Sequence, residues 1–321
     1  MRWRKAAKLK LLEDKDTDGT TRAVYREMEE ALGIPPVALF FPALGVYPGF
    51  LPVMWKRVRP TVVSREFFHA AERVRADAYT RVYNYFPVPD LGAVMTDLKF
   101  SPGAREELTD VVEMFHYRDP LLLLLFSLVA QAMEGPVGQA RKPSPENLHA
   151  TYRTAPVLID EAIAPAPIRK IYDELRRTLQ LPWVNTEYAA LARWPDFLST
   201  YWNLLTSMLQ SPLYGEWEYT TREVAWSLAH ELPGPVELPP EQLREEGSMS
   251  DSDIASVARL TLTFIGNLSG LVLHISLAKI ALEGGNRRKA KPEQPAATKP
   301  PSTKPPSGKP KPAPDKPERV A

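Results

Sequence analysis

The chain carries one segment twice, and this internal similarity limits the folds open to it. Residues 32–51 read LGIPPVALFFPALGVYPGFL, and residues 179–198 read LQLPWVNTEYAALARWPDFL. Aligned with itself at an offset of 147 residues, the chain has eleven identities over positions 25–55 without a gap. The repeat unit of about 120 residues is longer than the unit of a solenoid array. We therefore expect two related helical lobes that arose by internal duplication and pack as a pseudo-dimer.

The hydrophobic pattern within each lobe is typical of helices. Residues 105–116 carry an apolar stripe at helical spacing, and no segment alternates strictly between apolar and polar residues. A second such stripe lies within residues 65–85 and consists of Phe67, Ala71, Val74, Ala78, Val82 and Tyr85. The pair Asp119-Pro120 is typical of an N-cap followed by the first residue of a helix, here a buried helix over residues 121–133. The pattern predicts an all-α fold.

Composition divides the chain into five segments. We predict a flexible N-terminal segment (1–19), lobe 1 (20–135), a Pro- and Ala-rich interlobe linker (136–166), lobe 2 (167–285) and a disordered Lys/Pro-rich tail (286–321). The tail has ten basic and three acidic residues, whereas the whole chain has a net charge of only +1. The folded body is therefore mildly acidic, which argues against nucleic acid as a partner.

Several classes of protein are disfavoured by what the sequence lacks. It contains no cysteine, which excludes disulfides, thiolate catalysis and cysteine-ligated metals. The basic N-terminus is interrupted by charges before an apolar region could form, so we expect no secretory signal and a cytoplasmic location. The apolar run at 121–133 is too short to span a membrane. The longer run at 259–279 contains Asn267 and His274 and is predicted to be a core helix, so no membrane partner is expected.

Two Glu-x-x-His motifs raise the question of a di-iron site. They are Glu66/His69 and Glu113/His116, and a metal site in a helical bundle requires both side chains of each motif to face the interior. Glu66, His69 and Glu113 lie off the apolar stripes of their helices. We therefore predict no metal, and no nucleotide or other cofactor motif is found either.

The repeated segment is the remaining candidate for a functional site. In each copy a helix ends before Pro35 or Pro182, and a new helix begins near Leu39 or Thr186. Around a pseudo-twofold axis the two new helix starts could converge and offer backbone N–H groups to an anion. Glu187 occupies the position that Phe40 occupies in the other copy, which would place an acid opposite an apolar wall. The alternative is that Glu187 is an ordinary acid in the first turn of a helix.

Four segments of the chain together resemble a known family. They are YPGFLPVMW (47–55), FHYRDPLLLLL (115–125), GPVG (135–138) and LPWVNTEYAALARWPDFL (181–198). In order and spacing they resemble the group I 2-haloacid dehalogenases, the DehI-type family, over roughly residues 25–284. The resemblance implies an all-helical protein with an active site between two related halves. It also implies a cofactor-free hydrolase in which a carboxylate activates water, the hydroxide attacks the α-carbon of a 2-halo acid, and the inverted 2-hydroxy acid forms. The implied partner is a small carboxylic acid, and a homodimer is left open.

The residues that the resemblance assigns to the site all differ from the family pattern. The family's catalytic Asp aligns with Glu187, and its water-positioning Asn aligns with Asp119. The implied substrate-binding positions are Thr186 in place of Ser, Pro36 in place of Trp, Leu39 in place of Phe, and the apolar Phe40. The hypothesis is a DehI-like hydrolase, on the same or an altered substrate, with Glu187 as the base and Asp119 assisting.

The opposing hypothesis is a non-catalytic helical binding or structural protein on the same scaffold. In that case Glu187 would be exposed to solvent, and Asp119 would cap a helix by accepting a hydrogen bond from an amide two or three residues further on. An enzyme would instead place Glu187 and Asp119 in one interlobe pocket with room for a small acid.

Overall fold

The computed structural model describes residues 11–12, 18–35, 40–146, 152 and 154–286. In these ranges the secondary structure is helical, apart from three isolated β-bridges, and contains no strand. The helices are α1 (Gly19–Leu32), α2 (Phe40–Gly45), α3 (Phe50–Val62), α4 (Arg65–Tyr85), α5 (Leu91–Asp97), α6 (Pro102–Glu134), α7 (Ala166–Leu179), α8 (Thr186–Leu191), α9 (Pro195–Leu209), α10 (Tyr214–Glu231), α11 (Pro240–Glu245) and α12 (Asp251–Leu282). The all-α prediction is confirmed.

The helix lengths follow the same order in the two halves of the chain. The series α1–α6 and the series α7–α12 each contain a helix of 14 residues, one of 6, two longer helices, a short one and a final helix of more than 30 residues. One hydrogen bond also recurs at equivalent positions. Trp55 Nε1 donates to Glu27 Oε2 at 3.0 Å, and Trp202 Nε1 donates to Glu174 Oε2 at 2.9 Å. These features support the internal duplication, which remains a prediction.

The two longest helices, α6 and α12, pack against each other at the centre of the fold. Both are apolar around most of their circumference, so they are stable only when other helices cover them on several sides. The covering helices include α4 and α10, which pack against both central helices. By length and composition α12 could cross a membrane, but 72% of its most apolar window is buried inside the structure. The core helix predicted at 259–279 is therefore observed as part of α12.

Three aromatic rings join α2 to the two central helices. Phe40 at the start of α2 packs edge to face against Phe126 of α6, with ring centroids 5.7 Å apart, and against Phe264 of α12, at 4.7 Å. Phe126 and Phe264 are themselves 5.6 Å apart. All three rings are buried, so they hold α2 onto the core.

The N-cap predicted at Asp119 is wrong. α6 runs without a break from Pro102 to Glu134 and contains Pro120 in its interior. A proline there has no N–H to donate to the carbonyl four residues earlier, at a cost of about 3 kcal/mol in an exposed helix. Nearly every residue of α6 from Met114 to Ala132 is buried, and burial on this scale offsets the lost hydrogen bond. Packing therefore overrides the local signal for a helix start.

The apolar stripe predicted on α4 is correct except at its end. Phe67, Ala71, Val74, Ala78 and Val82 are buried, whereas the Tyr85 side chain is 66% exposed. Tyr85 is the last residue of the helix. At this end of α4 the apolar spacing of the sequence continues, but the side chain that follows it is exposed to solvent.

The segment boundaries differ in detail from the prediction. All twelve helices belong to one compact unit, and the linker at 136–166 is anchored to it, because Val137 is buried and exchanges backbone hydrogen bonds of 3.0 and 2.8 Å with Val236. Asp18, placed in the flexible segment, caps α1. Asn286, placed in the tail, exchanges hydrogen bonds with the backbone of Val88. The rest of the predicted tail, 287–321, and most of the predicted N-terminal segment lie outside the described residues.

Replacing a central aromatic ring should reveal how much the packing of α6 and α12 contributes. We expect Phe264→Ala to lower the free energy of unfolding by about 3–5 kcal/mol, because it leaves a cavity between α2, α6 and α12. The exposed Tyr85→Ala is the control and should change it by about 0.5 kcal/mol or less. Chemical denaturation followed by circular dichroism measures both, and equal losses would contradict the assignment of the core.

Candidate active site

The middle of α6 and the start of α8 bring four polar side chains together inside the protein. They are Arg118 and Asp119 on α6 and Thr186 and Glu187 on α8. Arg118 and Asp119 are fully buried, and Glu187 is 3% exposed. Charged side chains of this kind are almost never fully buried unless they are paired. The cluster is therefore the first place to look for function.

The start of α8 is held in place from the opposite side by two amides. Asn185, the residue before α8, exchanges hydrogen bonds with Asn267 of α12, at 3.2 Å and 2.9 Å. Trp183 Nε1 also donates to Asn185 Oδ1 at 2.8 Å. Asn185 therefore uses its side chain to join α8 to α12 and not to cap its own helix. This anchoring determines where Glu187 enters the core.

Arg118 is the centre of the cluster. Its Nε and Nη2 donate to Asp119 Oδ1 at 2.9 Å and 2.8 Å. Nη2 also donates to Glu187 Oε1, and Nη1 donates to Thr186 Oγ1 at 3.3 Å. The guanidinium carbon lies 4.5 Å from the centre of the Phe115 ring, a cation–π contact. One guanidinium thus orients two carboxyl groups and a hydroxyl.

Each carboxyl group of the cluster keeps one oxygen without a hydrogen-bond partner among the described residues. These oxygens are Asp119 Oδ2 and Glu187 Oε2, and both are buried. The other oxygen of Glu187 accepts from Arg118 and, at 3.5 Å, from the Thr186 hydroxyl. Burial raises the pKa of Asp119 well above its ordinary value; Arg118 opposes this increase and Glu187 adds to it. Buried oxygens without partners are rare in proteins and often mark functional sites.

The positions of the two acids agree with one part of the hydrolase hypothesis, their proximity, whereas a pocket with room for a small acid stays a prediction. Glu187 is buried and not exposed to solvent, and Asp119 bonds Arg118 from within a helix instead of capping one. The two acids are brought together, as the hydrolase hypothesis requires, and Thr186 lies beside them. A non-catalytic protein was expected to have an exposed Glu187 and a helix-capping Asp119, and neither is observed.

The remaining predicted site residues are placed differently. Phe40 belongs to the aromatic group with Phe126 and Phe264, so its observed contacts are those of a core residue. Pro36 and Leu39 lie outside the described residues, and their assignment to the site stays a prediction. The convergence of the two helix starts stays a prediction for the same reason.

A second buried polar network lies beside the cluster and was missed in the sequence. The His274 ring on α12 bonds the Tyr188 hydroxyl through Nδ1, at 2.7 Å, and the Tyr214 hydroxyl through Nε2, at 2.8 Å. The Tyr201 hydroxyl donates to the His274 carbonyl at 2.6 Å. Burial lowers the pKa of His274 to about 3 and raises the pKa of Tyr188 well above its usual range. Tyr188 follows Glu187 directly, so this network fixes the position of the residue next to Glu187.

The Glu-x-x-His motifs do not form a metal site in the described part of the chain. His69 is exposed, and no group of three His, Asp or Glu residues suited to a metal ion occurs there. Glu113 pairs with Lys279. His116 is buried, and burial lowers its pKa to about 3.

Arg118 was also missed in the sequence, although a signal for it was present. It stands next to Asp119 within FHYRDPLLLLL, where two adjacent charges interrupt an otherwise apolar helix. Charges at such a position must be paired inside the protein. Their partner on α8 could not be read from the sequence, because 69 positions separate Arg118 from Glu187.

Comparison with known proteins agrees with the fold. The DehI family model, described as halocarboxylic acid dehydrogenase DehI, matches residues 35–181. Over this segment the chain is similar to the DehI family. The matched segment contains Arg118 and Asp119 and ends shortly before Glu187.

Named proteins and solved structures are similar to this chain over most of its length. An (R)-2-haloacid dehalogenase of Pseudomonas putida is 23% identical over 259 residues, which are 79% of this chain and 86% of the relative. A configuration-inverting 2-haloacid dehalogenase of Alcaligenes xylosoxydans xylosoxydans is 24% identical over 277 residues, 81% of this chain and 90% of the relative. A structure of a D-2-haloacid dehalogenase mutant in complex with D-2-CPA superposes with a TM-score of 0.80 at 21% identity, covering 85% of this chain and 96% of that one. This last likeness establishes the fold.

Removing the central cation should destabilise the protein strongly. We expect Arg118→Met to lower the free energy of unfolding at neutral pH by about 3–5 kcal/mol, because two buried carboxyl groups would lose their only cation in the cluster. Arg73→Met is the matched control. Arg73 pairs with Glu231 on the surface, and its loss should cost about 1 kcal/mol or less. Urea denaturation tests this, and similar effects of the two substitutions would exclude a central role for Arg118.

The buried histidine predicts an acid-labile core. The pKa of His274 is depressed from 6.5 to about 3 by folding, so the unfolded state binds the proton more readily. Stability should therefore fall as pH decreases from about 6.5 towards 3, with this residue contributing about 1.4 kcal/mol per pH unit. His274→Gln should remove that contribution, whereas the exposed His69→Gln serves as control. Unfolding free energies measured at several pH values would contradict this if wild type and His274→Gln gave parallel curves.

Proposed function

We propose that the protein is a hydrolase that removes halide from 2-halo carboxylic acids without a cofactor. The reaction joins water to the substrate and releases a 2-hydroxy acid, a halide ion and one proton. The observation that carries the proposal is the buried Glu187, whose Oε1 is held by Arg118 and Thr186 while Oε2 has no partner among the described residues. Similarity to the DehI family and to named 2-haloacid dehalogenases supports the same chemistry.

Glu187 acts as the general base. Oε2 is the oxygen left to accept a proton from water, since Oε1 already accepts hydrogen bonds from two donors. As the water loses its proton, its oxygen attacks the carbon that bears the halogen from the side opposite the leaving group, and the configuration inverts. A positioned base of this kind contributes about 10²–10⁴-fold to the rate. Arg118 and Thr186 act as positioning residues because they hold the carboxyl group at a fixed angle.

The buried environment assists the displacement. A site without bulk water removes the hydration shell of the nucleophile, and fixed dipoles of the protein replace it. The substrate is a small carboxylate with a halogen on the adjacent carbon. We propose the (R) enantiomer as the preferred substrate, because two curated relatives are named (R)-2-haloacid dehalogenases.

The test is halide release from (R)- and (S)-2-chloropropionate and from bulkier 2-bromo acids. We expect wild type to release halide from the (R) acid and Glu187→Gln to lower kcat by about 10²–10⁴-fold, since the amide cannot accept the proton. Glu216→Gln removes an exposed acid on α10 and should leave the rate unchanged. Halide release that survives in Glu187→Gln would remove Glu187 from the mechanism.

A single turnover in H₂¹⁸O distinguishes direct attack by water from an ester formed on Glu187. Direct attack puts the label into the hydroxy acid in the first turnover. An ester intermediate would deliver an unlabelled oxygen of Glu187 to the first product. Unlabelled product in the first turnover would therefore overturn the role of Glu187 as a base.

A further inference from the structure

The charges of the buried cluster do not balance unless it also holds a proton. Arg118 contributes one positive charge, and Asp119 and Glu187 would contribute two negative charges if both were ionised. All three groups are buried, and an excess charge in that environment is costly. One additional proton makes the cluster neutral.

Among the described residues, neighbouring helices supply no further charge to balance the cluster. The charged groups that act on Asp119 in these ranges are Arg118 on its own helix and Glu187 on α8. The groups nearby on the packed helices either are neutral at ordinary pH or act on His116 instead of Asp119. They are Tyr188 on α8, Tyr201 on α9, His274 and Lys279 on α12, and Arg75 on α4. Within the described part of the chain, the charge balance therefore depends on Arg118, Asp119 and Glu187.

The arrangement of atoms also favours a proton on one of the acids. Arg118 Nη2 donates to Asp119 Oδ1 and to Glu187 Oε1, so the two carboxyl groups lie side by side. Their other oxygens, Asp119 Oδ2 and Glu187 Oε2, are buried and have no hydrogen-bond partner among the described residues. Two carboxylates that share a site repel each other when both are ionised, and a proton on one of them removes this repulsion.

We infer that the resting Arg118–Asp119–Glu187 cluster holds one proton, carried by Oδ2 of Asp119, so that Asp119 is a hydrogen-bond donor beside the basic Glu187. Asp119 is fully buried, whereas Glu187 is 3% exposed, so the neutral form is favoured at Asp119. Oδ1 of Asp119 accepts from two N–H groups of Arg118, and this leaves Oδ2 as the oxygen of this residue for the proton. Burial raises the pKa of Asp119 well above its ordinary value, which agrees with this placement.

The inference gives the two acids different tasks. A neutral Asp119 does not repel an anionic substrate, and its O–H can orient the attacking water or the substrate carboxylate. Glu187 accepts the proton of the water. This division of labour rests on the proposed function, whereas the proton count rests only on the cluster.

The proton count is tested by the pH dependence of unfolding. In the unfolded state both acids are ionised above about pH 5, so wild type must release one proton on unfolding. Its unfolding equilibrium constant should then increase tenfold more per pH unit than that of Asp119→Asn, from about pH 5 up to the raised pKa of Asp119. Stability due to this proton is thus greatest at low pH and is lost as pH rises.

Glu187→Gln provides a second variant, because the remaining acid and Arg118 balance without a proton. It should lose the same tenfold-per-unit dependence, so the test stands even if Asp119→Asn does not fold. Asp196→Asn, which removes an exposed acid at the start of α9, should keep the wild-type dependence. Parallel curves for wild type, Asp119→Asn and Glu187→Gln would overturn the inference.

The position of the proton is tested by the pH profile of halide release. If Asp119 carries the proton, wild-type kcat should fall as the pH rises and the proton is lost. Asp119→Asn should have a reduced but measurable kcat that lacks this decline. A wild-type kcat that instead increases over the same range would place the proton on Glu187 and overturn the assignment. Absence of halide release from every 2-halo acid would refute the proposed function while the unfolding experiment still decides the proton count.

Discussion

The packing of α6 against α12 is the constraint on which the rest of the structure depends. Two helices that are apolar on nearly every side cannot face water, so the other helices must surround them. That arrangement removes solvent from the middle of α6, where Arg118 and Asp119 happen to lie. Because the local dielectric constant is low there, each charge must be matched by another within hydrogen-bond distance. The ion cluster is therefore a consequence of the helix packing as well as a candidate for chemistry.

The short helix α8 connects this core to the proposed reaction. It is only six residues long, and its own hydrogen bonds would not hold it in place. Its position comes from neighbours on both sides: Asn185 pairs with Asn267 of α12, and Glu187 pairs with Arg118 of α6. A catalytic carboxyl group gains from such support, because small displacements of a base are costly to the rate. The same contacts that hold α8 in the fold therefore fix the position of the proposed base.

Local rules predicted most helices, and they failed where packing was strongest. The stripes on α4 and α6 were visible as periodicity, since a helix must turn its apolar residues to one side. The helix start predicted at Asp119-Pro120 was wrong, because a pair that often begins a helix can also lie inside a buried one. The candidate site was predicted in part: Glu187 came from the repeat and from the family resemblance, whereas Asp119 came from the resemblance alone, as did the substrate-binding role of Thr186. Arg118, Tyr188 and His274 were missed, because their importance depends on partners far away in the chain.

What the sequence by itself determined is the helical class, the two-part order of the helices and the identity of the acids, since all of these follow from periodicity and from aligned residue types. The tertiary structure alone decided which charges meet. Only packing of α6, α8 and α12 places one guanidinium between two carboxyl groups, and only burial raises the pKa of Asp119. The physical reason is that the energy of a charge depends on its distance from other charges and from water, and neither distance is written in the order of residues.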